Sequence, residues 1–128
     1  MTILNSKILV VDDYATMVRI IEKLLQQIGF SDIDTASNGQ EALEKIEVSD
    51  YDLVISDWNM EPMTGIELLK EVRTSIDRTD LPFIMVTAES KPENVIAAKD
   101  AGVSNYIVKP FNAETLRVKI ESVLGPIE

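Results

Sequence analysis

Five times along this chain a short apolar run is followed by apolar residues at helical spacing, and that alternation restricts the possible folds more than any other feature. Lys7-Ile8-Leu9-Val10-Val11 predicts a buried strand. Met17, Ile20, Ile21, Leu24, Leu25 and Ile28 then recur at i, i+3 and i+4, up to Gly29, a residue suited to a left-handed helix cap. Residues 33–36 predict a shorter second strand. Ser37-Asn38-Gly39-Gln40 predicts a capping box for a helix that turns Ala42, Leu43 and Ile46 inward. Leu53-Val54-Ile55-Ser56 is the third predicted strand, and Thr64-Gly65-Ile66-Glu67 a second capping box, opening a helix with Ile66, Leu69 and Val72 inward. Pro82-Phe83-Ile84-Met85-Val86 predicts the fourth strand. Ser90-Lys91-Pro92-Glu93 is a third capping box, for a helix that stops at Gly102. Residues 105–108 predict the fifth strand, broken by Lys109-Pro110. Asn112 then caps a last helix whose Leu116, Ile120, Val123 and Leu124 face the core before Gly125-Pro126.

Five strands alternating with five helices predict an α/β fold, a five-stranded parallel sheet flanked by helices on both faces. Right-handed crossovers bring the carboxyl end of every strand to one edge of that sheet. The 128 residues suit one domain. No linker or repeat interrupts them, so residues 1–128 are expected to be a single domain with no output domain attached.

The residue types restrict the chemistry further. There is no histidine and no cysteine, which excludes a Ser-His-Asp triad, a His- or Cys-ligated zinc site, a phosphohistidine carrier and a disulfide framework. A formal net charge of −10 argues against a nucleic-acid partner. No apolar run approaches the ~20 residues that a membrane helix needs, and no secretory leader is visible, so the expectation is a cytoplasmic protein without a membrane partner.

Reactive groups punctuate the strand ends. Asp12 and Asp13 follow the first strand, Asp57 the third, Thr87 the fourth and Lys109 the fifth. Open α/β sheets bind ligands beyond those ends, where the strand order reverses. If the first and third strands are neighbours, three carboxylates, a hydroxyl and an ammonium meet in one shallow pocket. Two like charges 4 Å apart cost about 4 kcal/mol at an effective dielectric near 20. Lys109 offsets only part of this, and a hard divalent ion, Mg²⁺, suits the remainder. Aspartate can act as a nucleophile toward phosphorus, with Lys109 and Thr87 stabilising the transferring group.

Taken singly, each group has a plainer reading. Asp12-Asp13 before a helix is more often an N-cap with charges favourable to the helix dipole. Asp57 could be a turn residue, Thr87 an ordinary loop residue and Lys109-Pro110 a strand end. Tyr106 could be there for β propensity alone. Four strands delivering such groups to one edge by accident is the weaker explanation.

Asp12-Asp13, Asp57-x-x-Met60, Gly65, Thr87-Ala88 and Lys109-Pro110-Phe111 resemble the pattern of response-regulator receiver domains, in order and over nearly the whole chain. Ser56-Asp57-Trp58-Asn59-Met60, Thr87-Ala88-Glu89, Tyr106 and Lys109-Pro110-Phe111-Asn112 are similar to the chemotaxis branch. The resemblance implies a flavodoxin-like fold with strand order 2-1-3-4-5. It implies that Asp57 is the phosphoacceptor and that Mg²⁺ is held by Asp13, Asp57 and the backbone carbonyl of Asn59, with Asp12 acting mainly through a water. Lys109 would contact the phosphoryl group. Thr87 would move toward it and let Tyr106 swing inward, changing the surface of the fourth helix, fifth strand and fifth helix. Asn59 and Glu89 would tune dephosphorylation.

The implied partners are a histidine kinase as donor and a flagellar motor switch protein as target of a diffusible monomer. A phosphate sink, a relay intermediate or a regulator of another kinase would use the same chemistry. The implied protein is not an enzyme toward other substrates, although it would catalyse its own phosphorylation and dephosphorylation at Asp57. One departure stands out: Glu61 follows Met60 where the family usually has proline, and the proline comes at Pro62. Glu61 is expected to point to solvent, and Tyr14 either to cover the pocket partly or to pack on the first helix. An aspartate-nucleophile phosphatase needs an acid/base carboxylate two residues after the nucleophile, where this chain has Asn59. A flavin-binding domain needs a Ser/Thr/Gly-rich first loop, where this chain has Asp12-Asp13-Tyr14.

Overall fold

The computed structural model describes residues 3–74, 79–88 and 92–127. After a 3₁₀ turn at Ile3–Asn5, strands and helices alternate: β1 Lys7–Val11, α1 Ala15–Ile28, β2 Asp32–Ala36, α2 Gly39–Val48, β3 Leu53–Asp57, α3 Gly65–Arg73, β4 Phe83–Thr87, α4 Pro92–Asp100, β5 Asn105–Val108 and α5 Ala113–Leu124. All strands are parallel, in the order β2-β1-β3-β4-β5. This is the flavodoxin-like arrangement.

Alternating side chains divide the sheet between two cores. Leu9, Val11, Val54, Phe83 and Met85 pack under α2 and α3 with Ala42, Ile46, Leu68, Leu69 and Val72. Ile8, Val10, Leu53, Ile55, Ile84, Val86 and Ile107 pack under α1 and α5 with Ile21, Leu25, Leu116 and Ile120. Strands buried on both faces read as continuous apolar runs, which is why they stand out in the sequence.

Helix ends follow local chemistry, with corrections. Gly29 ends α1 at φ 127°, its N–H donating to the Leu25 carbonyl at 3.1 Å. Thr64 and Glu67 form the expected capping box on α3, and Asn112 accepts from the Thr115 N–H on α5. On α2 the cap is Asn38 rather than Ser37, because the Asn38 Oδ1 reaches the Glu41 N–H at 2.8 Å. Glu41, not Gln40, turns back, and accepts from both the N–H and hydroxyl of Ser37. Ile20, expected inward, is exposed on α1. The fourth strand starts at Phe83; Pro82 lacks an N–H and contributes its carbonyl to the Val54 N–H. The capping box expected at Ser90 lies outside the described residues.

Both edge strands have a backbone group engaged by a side chain. On β2 the Thr35 carbonyl accepts from Lys45 Nζ. On β5 the Tyr106 N–H donates to Asn105 Oδ1 at 2.8 Å. Among the described residues of α4, only Ala98 is buried. Its C-terminal end is held by Arg73, whose Nε and Nη2 both donate to the Gly102 carbonyl, at 3.1 and 2.9 Å.

Candidate functional site

Strand register builds the site. Val11 pairs with Ser56 across β1 and β3, so Asp12 and Asp57 emerge side by side at the sheet edge. Asp57 pairs with Val86, and Thr87 pairs with Val108, placing Thr87 and Lys109 on the adjacent positions. The Lys109 N–H donates to the Thr87 carbonyl at 2.8 Å, holding the start of the last loop against the end of β4.

Carboxylate oxygens of Asp12, Asp13 and Asp57 all lie within 4.8 Å of one another. Lys109 Nζ is 2.8 Å from Asp57 Oδ1. That contact is ionic without the geometry of a hydrogen bond, and the buried Oδ1 has no hydrogen-bond donor. Asp12 is 2 % exposed, with Oδ1 accepting from the Tyr14 N–H at 2.9 Å and Oδ2 buried without a donor. Burial, with the negative charges of Asp57 and Asp13, pushes the Asp12 carboxyl from 3.8 up to about 6, against the pull of the Tyr14 N–H and of Lys109.

These details decide against the plain reading of the acidic pair. The cap position of α1 belongs to Tyr14, with no side-chain capping bond, so neither aspartate caps the helix. Asp12 folds back to its own turn and Asp13 is exposed at the pocket mouth. A buried Asp12 oxygen without a donor, a buried Asp57 oxygen met by the Lys109 charge and an exposed carboxylate form a hard, anionic oxygen set that fits Mg²⁺.

The loop after β3 is anchored at both ends. The Trp58 N–H donates to the Val86 carbonyl, and the Trp58 carbonyl accepts from the Gly65 N–H at 2.8 Å. A Cβ on Gly65 would lie 2.2 Å from the Asp57 carbonyl oxygen, so glycine is obligatory for α3 to start so close to the strand end. Between these anchors Met60 is buried while Asn59, Glu61 and Pro62 are exposed, the Glu61–Pro62 peptide being cis. Glu61 therefore faces solvent, as expected.

Thr87 is 5 % exposed at the end of β4. Tyr106 on β5 is half-buried against the α2/α3 core, with Lys119 Nζ 5.2 Å from its ring centre. Tyr14 is 61 % exposed and covers little. Glu89 lies outside the described residues. Ser56, which the sequence offers only as part of the chemotaxis-like run and without a role, is a further contributor: its buried hydroxyl donates to the Asp57 carbonyl at 3.0 Å, steadying the peptide that carries the carboxylate.

A parallel five-stranded sheet that gathers an aspartate triad and a lysine at its carboxyl edge is the architecture of a receiver domain. Residues 8–121 match the response regulator receiver domain family, and the chain belongs to it. It is 47 % identical over 119 residues to the chemotaxis protein CheY-3 of Vibrio cholerae, covering 93 % of this chain and 92 % of that one. It is also 47 % identical over 117 residues to CheY of Pseudomonas aeruginosa, covering 91 % and 94 %. Among solved structures, Vibrio cholerae CheY4 superposes with a TM-score of 0.87 at 38 % identity, over 94 % of this chain and 99 % of that one. A two-component response regulator of Clostridium difficile does so at 0.84 and 29 %, over 94 % and 96 %. The protein is thus a two-component receiver with chemotaxis relatives, a class that uses Mg²⁺ at an acidic pocket and receives its signal from a histidine kinase. No described helix is long and apolar enough to cross a membrane.

Proposed function

We propose that Asp57 takes a phosphoryl group from the phosphohistidine of a histidine kinase, and that the phosphorylated protein is a diffusible chemotaxis signal read by a flagellar motor switch protein. The observation carrying this reading is the buried Asp57 carboxylate, 2.8 Å from Lys109 Nζ and grouped with Asp12 and Asp13 within 4.8 Å. The donor's P–N bond breaks as a P–O bond to Asp57 forms, and hydrolysis of that acyl phosphate by water returns the carboxylate.

Asp12, Asp13, Asp57 and the Asn59 backbone carbonyl would hold Mg²⁺, which when bound neutralises charge that builds on the phosphoryl oxygens. Asp57 supplies the nucleophile from a strand end with little freedom to move. Lys109 transfers its ion pair from the carboxylate to the phosphoryl group, and Thr87 donates a hydrogen bond to it. A Thr87 drawn toward that group leaves space for Tyr106 to turn further inward, altering the face of α4, β5 and α5 that the target reads. Asn59 and Glu89 set the access of the hydrolytic water. Catalysis is confined to the chain's own Asp57, so no other phosphoester is turned over, and the site of action is the cytoplasm. The chemotaxis relatives favour motor output over a phosphate sink.

Intact mass after incubation with acetyl phosphate and Mg²⁺ tests the chemistry. One phosphoryl adduct is expected on wild type, absent from Asp57→Asn and absent without metal. No adduct, or one that persists in Asp57→Asn, would overturn the assignment. Stronger binding of a motor-switch peptide by the phosphorylated form tests the output.

A further inference from the structure

Gly39, the first residue of α2, is buried, and the space where its Cβ would stand is taken by Met63 from the loop after β3. Such a Cβ would lie 2.7 Å from Met63 Sδ, 2.9 Å from its Cβ and 3.0 Å from its Cγ. The Sδ could swing away, but the Met63 Cβ is fixed to the loop backbone. Any side chain at position 39 must therefore displace the loop itself. Met63 is half-buried against the α2/α3 core, and Met60, three residues earlier, is 2 % exposed in that core. The two methionines act as pins on either side of exposed Glu61 and Pro62, and Asn59 stands directly before the first pin.

We propose that Met63, seated on Gly39, is a positioning residue that holds the Asn59 segment in place for divalent-cation binding at the acidic pocket. This rests on the reading that the pocket takes Mg²⁺. The contact is apolar and distant in sequence, so it acts by restricting the loop rather than by touching the cation. A loop already held where its carbonyl is needed loses less freedom when the ion arrives. The pairing also suits this chain's Glu61-Pro62, which leaves the loop tip exposed and dependent on its flanking anchors.

Trp58 is the single tryptophan and adjoins Asp57, so its emission reports Mg²⁺ binding on the whole, unlabelled chain. Titrations would compare wild type, Met63→Ala, Met63→Leu, Gly39→Ala and the double variant Gly39→Ala/Met63→Ala, each with its metal-free melting temperature. Met63→Ala is expected to weaken Mg²⁺ binding about tenfold, the lower end of what loss of an outer support costs a metal site. Gly39→Ala, which improves helix propensity, should weaken it similarly by expelling Met63. Met63→Leu should stay within about twofold of wild type. Each single change breaks the same seating of Met63 on Gly39, so in the double variant, where that seating can be lost only once, the two losses should fail to add. Equal affinity in Met63→Ala and wild type would overturn the inference, and a lowered melting temperature with unchanged affinity would do so too, marking Met63 as core alone. Losses that add in the double variant would also overturn it. A wild-type protein with no saturable response would overturn the metal reading and this inference together, whereas a response shared equally by every variant would overturn only the inference.

Discussion

Asp12 shows how one side chain can be costly to the fold and useful to the site. Its carboxyl titrates at about 6 instead of 3.8, so the folded protein holds that proton more tightly than the unfolded chain. Without metal, the stability due to the protonated form is full below about pH 4 and is lost as pH rises through 6. Asp12→Asn keeps the shape and an acceptor for the Tyr14 N–H while removing the charge. It is expected to stabilise the metal-free protein at pH 7 by about 3 kcal/mol, with the gain fading toward pH 4, while abolishing phosphorylation. Urea unfolding in chelator at both pH values checks this, and an equal gain at both would sink it. The repulsion among three carboxylates that the sequence implies does not distinguish Asp12 from Asp13 as the one to neutralise. The structure ranks them, because Asp13 is exposed and alanine at 12 would forfeit the Tyr14 bond. The identities of the pocket residues were legible since each interrupts an apolar run. Which oxygen is buried without a donor was not, because that depends on a turn closing two residues later.

Strands and helices were largely readable because two-sided burial and helical periodicity leave different spacings of apolar residues. The errors came where neighbours share chemistry. Ser37 and Asn38 can both cap, and backbone direction alone selected Asn38. Ile20 has the right spacing but belongs to the turn of α1 that faces outward. Helix α4 was legible mainly at its end, at Gly102, since its interior lacks a strong apolar stripe and buries Ala98 alone among the described residues. Its tie to the body by Arg73 crosses 29 residues and no local pattern announces it. Arg73→Ala removes two charge-assisted hydrogen bonds to the Gly102 carbonyl and is expected to cost about 1–2 kcal/mol. Amide exchange should quicken over residues 97–101 more than in α5. Uniform quickening would mean that the tie supports the whole fold rather than this helix.

Across the molecule, two apolar cores support a sheet edge whose carboxylates repel one another, so a ligand that relieves the repulsion in the folded state alone must stabilise the fold. Mg²⁺ at ten times its dissociation constant is expected to add about 1.4 kcal/mol and to raise the melting temperature by about 5 °C. Asp57→Asn should blunt the shift; an unchanged melting temperature in wild type would count against the site. The two edge strands carry a different consequence. With the Thr35 carbonyl taken by Lys45 and the Tyr106 N–H by Asn105, each border of the sheet offers a neighbour an interrupted template. A second molecule that slid alongside would find one rung of each border already occupied, which works against a growing ribbon when many copies are crowded together.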